Sequence, residues 1–208
     1  MDRCTHSFAT RRFAVRTFAT RTLLLATFFG LGLWPLLAGG GAEQLGAVDL
    51  SGAPVDPLQA APGKVVVLIF VRTDCPISNR YAPTIQRLSA KHAGKALFWL
   101  VYPDKTESPE AIRKHQRDFG YRLPAVRDMH YTLVKESRAQ ITPEAAVFDA
   151  THRLVYHGRI DNLYEDFGRA RTAATTHELD DAILAAIQGK TPAAENVFAV
   201  GCYISDLK

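Results

Sequence analysis

Cysteine is scarce in this chain. Its 208 residues hold three, Cys4, Cys75 and Cys202. Cys4 lies in an N-terminal segment that reads as a leader, so the rest of the chain has two, separated by 127 positions. Two cysteines cannot build a disulfide framework, and no CxxC or paired zinc spacing occurs. Charge of one sign is also lacking where it would matter. The net charge of +4 belongs to residues 1–42, which carry Arg3, Arg11, Arg12, Arg16 and Arg21 against Asp2. The remaining residues hold 20 basic and 20 acidic side chains. A basic groove for nucleic acid is therefore not implied. There is no internal repeat and no sign of a second domain. Apolar residues make up 47%, enough for a real core.

From Thr22 to Ala42 the chain has no charge at all. Leu23 to Leu37 is the apolar heart, interrupted by Pro35, and small residues follow from Ala38 to Ala42. A positive stretch, a short apolar run and small residues form the pattern of a secretory signal cleaved before Glu43. Fifteen apolar residues are short for a span of about 20. The expected organisation is residues 1–42 as signal peptide, with residues 43–208 as one exported domain. That domain would lie in the periplasm or outside the cell, where thiols can be oxidised. An uncleaved residues 22–42 would anchor it, the one way this chain would meet a membrane. Thr10-Arg11-Arg12 hints at a twin-arginine signal, but the residues after it fit poorly.

In the domain, the densest signal is Lys64 to Leu88. Val65 to Val71 is an unbroken apolar run, which suits a strand covered on both faces. Ala96 to Tyr102 is a second such strand. Between them, helical spacing runs from Asn79 to His92 and stops at Gly94. Ser108 can cap a helix that opens with Pro109 and Glu110 and runs to about Phe119. Leu123 to Val126 reads as a short strand, and His130 to Ala139 as a short helix. Ala145 to Phe148 and Leu154 to His157 form a hairpin. Thr176 is placed to cap a last helix from His177 to Gln188. Val48 to Leu50 is a small strand, and the tail Val197 to Ile204 is apolar. The long charged stretch between the hairpin and the last helix contains Arg159, Asp161, Asp166, Arg169 and Arg171. It exceeds a simple connection and reads as a solvated loop, or as one that orders around the site or binds a partner. Alternating strands and helices give an α/β sandwich around a mixed sheet.

On this frame Cys75 follows the C-terminal end of a buried strand. In open α/β sheets, sites form at that edge. Pro76 suits the first helical position, which puts Cys75 near the N-cap. Free backbone N–H groups there stabilise a thiolate. Arg72 and Arg80 would add to that effect and Asp74 would oppose it. The neighbours Asp74, Ser78 and Asn79 read as polar surroundings, unlike those of an inert core cysteine. His152, His157 and His177 show no ligand spacing and read as surface or loop residues.

The segment Thr73-Asp74-Cys75-Pro76-Ile77-Ser78 between strand and helix resembles the thioredoxin-like superfamily. The likeness is to its exported redoxins, related to alkyl hydroperoxide reductase/thiol-specific antioxidant and TlpA-like proteins. Thr142-Pro143-Glu144-Ala145-Ala146 resembles that family's cis-proline loop. The resemblance covers about residues 46–188. It implies a three-layer sandwich with a central mixed sheet and helices on both faces. It also implies that Pro143 is cis and faces Cys75, with Thr142 beside the sulfur, offering an edge to an extended substrate. The implied activity is that of a thiol-dependent oxidoreductase in antioxidant or redox homeostasis, with Cys75 as nucleophile and no cofactor. Its partners would be an external thiol reductant or a protein disulfide substrate.

Two departures from the family stand out. The second cysteine of a CxxC is Ser78, so no local disulfide can form. The peroxiredoxin pattern of Pro and Thr before the cysteine is replaced by Leu68 and Arg72, although Thr73 is nearby. Attention therefore moves to Cys202, for which two readings stand. It resolves Cys75 as a distant redox partner, or it only packs. A second functional class is a redoxin fold that captures copper or a partner protein without turnover, since two thiolates suit Cu(I).

Overall fold

The computed structural model describes residues 46–60 and 62–204. The expected leader, with Cys4 and its arginines, lies outside the described residues. Among the described residues, no helix is long and apolar enough to cross a membrane.

The domain is organised around β2 (Val65–Phe70). Its six residues are all buried, and they divide by parity. Val65, Val67 and Ile69 enter one hydrophobic cluster, while Val66, Leu68 and Phe70 enter another. Successive side chains of a strand point to opposite faces, so an unbroken apolar run is what a strand with two covered faces requires. Parallel to β2 runs β3 (Ala96–Tyr102), followed by β4 (Ala125–Arg127). Antiparallel on the other side runs β6 (Glu144–Phe148), paired with β7 (Leu154–Gly158). The edges are β1 (Val48–Asp49), on β4, and β10 (Asn196–Val197), on β7. The seven-stranded mixed sheet has the order β1-β4-β3-β2-β6-β7-β10.

Helices cover both faces. On one lie α1 (Pro76–Lys91), α2 (Pro109–Asp118) and α4 (Glu178–Ile187), contributing Tyr81, Ile85, Ile112, Leu179 and Ile183 to the core. On the other lies α3 (Thr132–Ser137), contributing Leu133 and Val134. This is the expected three-layer sandwich.

Several boundaries differ from expectation for local reasons. The strand expected from Leu123 is displaced to β4, whose registered partners on β3 are Leu100, Val101 and Tyr102. Thr176 does not cap α4. The N-cap is His177, without a side-chain bond, and the Thr176 hydroxyl donates to Glu178 Oε1 at 2.6 Å instead. Glu178, Asp180 and Asp181 place negative charge in the first turn, where the helix dipole favours it. The long charged stretch contains a hairpin of β8 (Tyr164–Asp166) and β9 (Arg169–Ala170). His157 is neither surface nor loop. It sits within β7 and lies 3.5 Å from the buried carboxylate of Glu144. The apolar tail makes two short strands, β10 and β11 (Cys202–Tyr203).

Candidate active site

Cys75 is the N-cap of α1, with Pro76 at the first helical position. Its backbone is extended (φ −84°, ψ 111°), so the side chain turns back over the helix start. There the sulfur accepts a hydrogen bond from the Ser78 N–H at 3.5 Å. Facing it across the sheet edge is β5 (Ile141–Thr142). The Thr142–Pro143 bond is cis, and the Thr142 carbonyl accepts from the Cys75 thiol at 3.1 Å.

The tail completes the site. Strand β11 pairs antiparallel with β5, with Cys202 opposite Thr142 and Tyr203 opposite Ile141. Ile204 N–H adds a bond to the Gln140 carbonyl at 2.9 Å, and the Thr142 hydroxyl donates to the Cys202 carbonyl at 3.3 Å. This docking brings Cys202 Sγ to 2.9 Å from Cys75 Sγ. Both cysteines are free thiols.

The two sulfurs differ in acidity. Burial disfavours the Cys75 thiolate, but hydrogen bonds from Cys202 and from the Ser78 hydroxyl and N–H outweigh it, and the pKa lies below the ordinary thiol value. The Ser78 hydroxyl is buried and makes no other hydrogen bond. Cys202 moves the opposite way. Burial, and its role as donor to Cys75, push it up to about 12. The pair is thus an acceptor sulfur and a donor sulfur.

The surroundings of Cys75 correct the sequence reading. The residue is fully buried and belongs to the main hydrophobic cluster, and of the polar neighbours Asp74, Ser78 and Asn79 only Ser78 bonds to the sulfur. The charges lie one layer out. Arg72 pairs with Asp74 at 2.9 Å and with Asp104 at 3.3 Å. Asp74 is exposed, and Arg80 is exposed on α1 and makes none of the hydrogen bonds that reach the sulfur. Thr73 contributes through its backbone, its N–H donating to Glu107 Oε1 at 2.6 Å and its carbonyl accepting from Asn79 Nδ2 at 3.1 Å.

That loop is held by residues that sequence reasoning missed. Asn79 Oδ1 lies 2.7 Å from His115 Nε2, and His115 Nδ1 lies 2.8 Å from the Tyr102 hydroxyl. Burial lowers the pKa of His115, favouring the neutral ring. Burial raises that of Glu107, with Asp104 and Asp74 adding to it against the Thr73 N–H. Glu144 accepts from the N–H groups of Gln140 and Ile141, at 2.8 and 3.1 Å, and so fixes β5. An acidic residue opening an apolar strand was the available signal for Glu144. Nothing local marked Glu107 or His115.

No group of three or more His, Cys, Asp or Glu is gathered among the described residues to hold a metal ion. A cleft of about 630 Å³ lies along α1, lined in part by Thr84, Leu88, Ile160, Leu163 and His177, and includes neither cysteine.

The chain matches no family model and no curated protein. Solved structures do match. An uncharacterised conserved protein from Geobacillus kaustophilus superposes with a TM-score of 0.67 at 20% identity, covering 77% of this chain and 87% of that one. A hypothetical protein from Sinorhizobium meliloti gives 0.64 at 21% identity, covering 75% and 87%. A secreted Mycobacterium tuberculosis disulfide oxidoreductase homologous to E. coli DsbE is more distant, at 0.48 and 18% identity, covering 70% and 96%. At these identities the likeness is one of fold. With a cysteine-capped helix after the central strand and a cis-proline before the antiparallel strand, that fold is thioredoxin-like.

Proposed function

We propose that the chain is an exported thiol-dependent oxidoreductase in which Cys75 is the nucleophile and Cys202 the resolving cysteine. The observation that carries this reading is the 2.9 Å separation of two sulfurs with opposed acidities. Closing a disulfide requires a bond of about 2.05 Å, so the tail moves by only about 1 Å. Export rests on the pattern of residues 1–42.

With β11 lifted from β5, the Cys75 thiolate attacks one sulfur of a disulfide and expels the other as a thiolate. With a peroxide it attacks an oxygen, becomes a sulfenic acid and releases an alcohol or water. Cys202 then gives up its proton and attacks the Cys75 sulfur. The Cys75–Cys202 disulfide forms as the bound thiolate or hydroxide leaves. Ser78 and the start of α1, set by Pro76, support the thiolate. Thr142 and Pro143 aim the opposing edge. Thr73 and Asp74 shape the loop, and Arg72 and Arg80 supply positive charge around it.

Thiol counting of the purified protein before and after one equivalent of peroxide or a small disulfide, with mass mapping, tests the reading. The expected product is a Cys75–Cys202 bond, and Cys75→Ser should abolish thiol-dependent turnover. Two free thiols after oxidation, or undiminished turnover in Cys75→Ser, would sink it. Tight copper binding without turnover would favour the binding module.

A further inference from the structure

The two sulfurs are not equally open to a third. Cys75 is fully buried, with Cys202 against its sulfur, while Cys202 is half-buried on the outer strand of the pair. The edge of β5 that an extended partner would use is already occupied by β11, in antiparallel register. In the closed state, an incoming group therefore meets the tail and not the nucleophile.

Thiol–disulfide exchange sharpens the distinction, because the attacking thiolate approaches in line with the bond it breaks. Cys75 offers no open approach, since it is fully buried at the start of α1 with the Ser78 N–H and the Thr142 carbonyl in hydrogen-bond contact with its sulfur. Cys202 is only partly buried, so an attacking group can reach it from solvent. We propose that the oxidised protein exchanges electrons with an external dithiol at Cys202, and that Cys75 is the internal leaving group. This rests on the Cys75–Cys202 pairing proposed above.

In the first step an external thiolate bonds to Cys202 Sγ, the Cys75–Cys202 bond breaks, and its electron pair leaves on Cys75. The second thiolate of the dithiol then attacks its own partner's sulfur in the mixed disulfide. It closes a disulfide and releases Cys202, which takes a proton. The dithiol loses two electrons and the cysteine pair gains two. Leaving-group chemistry agrees, since the Ser78 N–H and hydroxyl receive the Cys75 thiolate and Cys202 has no such support.

The test uses the full oxidised chain and 2-mercaptoethanol, a monothiol that stops after the first step. After brief reaction, acid quench and alkylation, peptide mapping should find the adduct on Cys202 and alkylated Cys75, in a ratio above about 10 to 1. An adduct on Cys75, or an even split, overturns the proposal. If oxidation forms no Cys75–Cys202 bond, the function proposed above falls with it; if the bond forms and the adduct sits on Cys75, this inference alone falls. A second measurement covers rapid loss of the adduct. In a Cys4→Ser background, Cys75→Ser and Cys202→Ser chains are each charged with thionitrobenzoate at the remaining site, and its release by 2-mercaptoethanol is timed. Release from Cys202 should be faster by more than about 10-fold. Equal or reversed rates overturn the proposal.

Discussion

Gly201 passes so close over Thr142 that a β-carbon on it would stand 2.1 Å from the Thr142 carbonyl oxygen. That oxygen is the one that accepts from the Cys75 thiol. Backbone cannot yield as a flexible side chain can, so the close approach requires glycine. Gly201→Val should lift β11 from β5. The expected result is Cys75 alkylation accelerated by at least about 10-fold, with slower disulfide closure. Chemical denaturation should show a loss of about 1–3 kcal/mol. Unchanged alkylation would mean that the tail does not shield the sulfur.

Cys202→Ala tests the electrostatic link between the sulfurs. Burial pushes the Cys75 pKa up, and the Cys202 hydrogen bond is first among the causes pulling it down. Without that donor the Cys75 pKa should rise. Thiolate ultraviolet absorbance against pH, in a Cys4→Ser background, measures it directly. A fall or no change would show that the helix start and Ser78 alone hold the thiolate.

Glu107 yields a pH-dependent prediction. Burial raises its pKa in the folded state. Its contribution to stability is therefore complete below the unfolded carboxylate's pKa and is lost as pH rises through the folded value. Its Oε2 is buried without a partner. Glu107→Gln keeps an oxygen for the Thr73 N–H and removes the buried charge. Thermal unfolding should show this variant more stable than the parent at neutral pH, with the difference shrinking in acid. A difference that grows in acid would contradict the assignment.

Glu144 holds the strand on which the tail docks, by bonds to two backbone N–H groups. Glu144→Ala leaves the buried Ile141 N–H and the partly buried Gln140 N–H without an acceptor. It should cost about 2–4 kcal/mol in denaturant unfolding. It should also slow Cys75–Cys202 closure. Glu144→Gln retains an acceptor oxygen and should recover most of both effects. Equal losses in the two variants would place the cost in packing and not in these bonds.

How much of this was legible follows from the range of each interaction. The buried strand Val65–Phe70 announced itself because burial on both faces leaves no polar alternation. Cys75 at the start of α1 could be placed from Pro76 alone, since proline at the first helical position is a local rule. The same local logic misjudged its surroundings. Asp74 and Asn79 are close in sequence but turn outward or into the loop, while Thr142 and Cys202 close over the sulfur. The cap of α4 failed for a related reason, as Thr176 spends its hydroxyl on Glu178.

What the sequence by itself determined is the order of elements, the two-faced central strand and a single cysteine at a helix start without a neighbouring cysteine. Hydrophobic periodicity and backbone sterics act over a few residues, so they can be read along the chain. Only the tertiary structure decided that Cys202 lies against Cys75, that β11 covers the cis-proline edge and that Glu107 and Glu144 brace the loops around it. Each of those contacts joins segments distant in sequence, and is specified by the packing of the whole sheet.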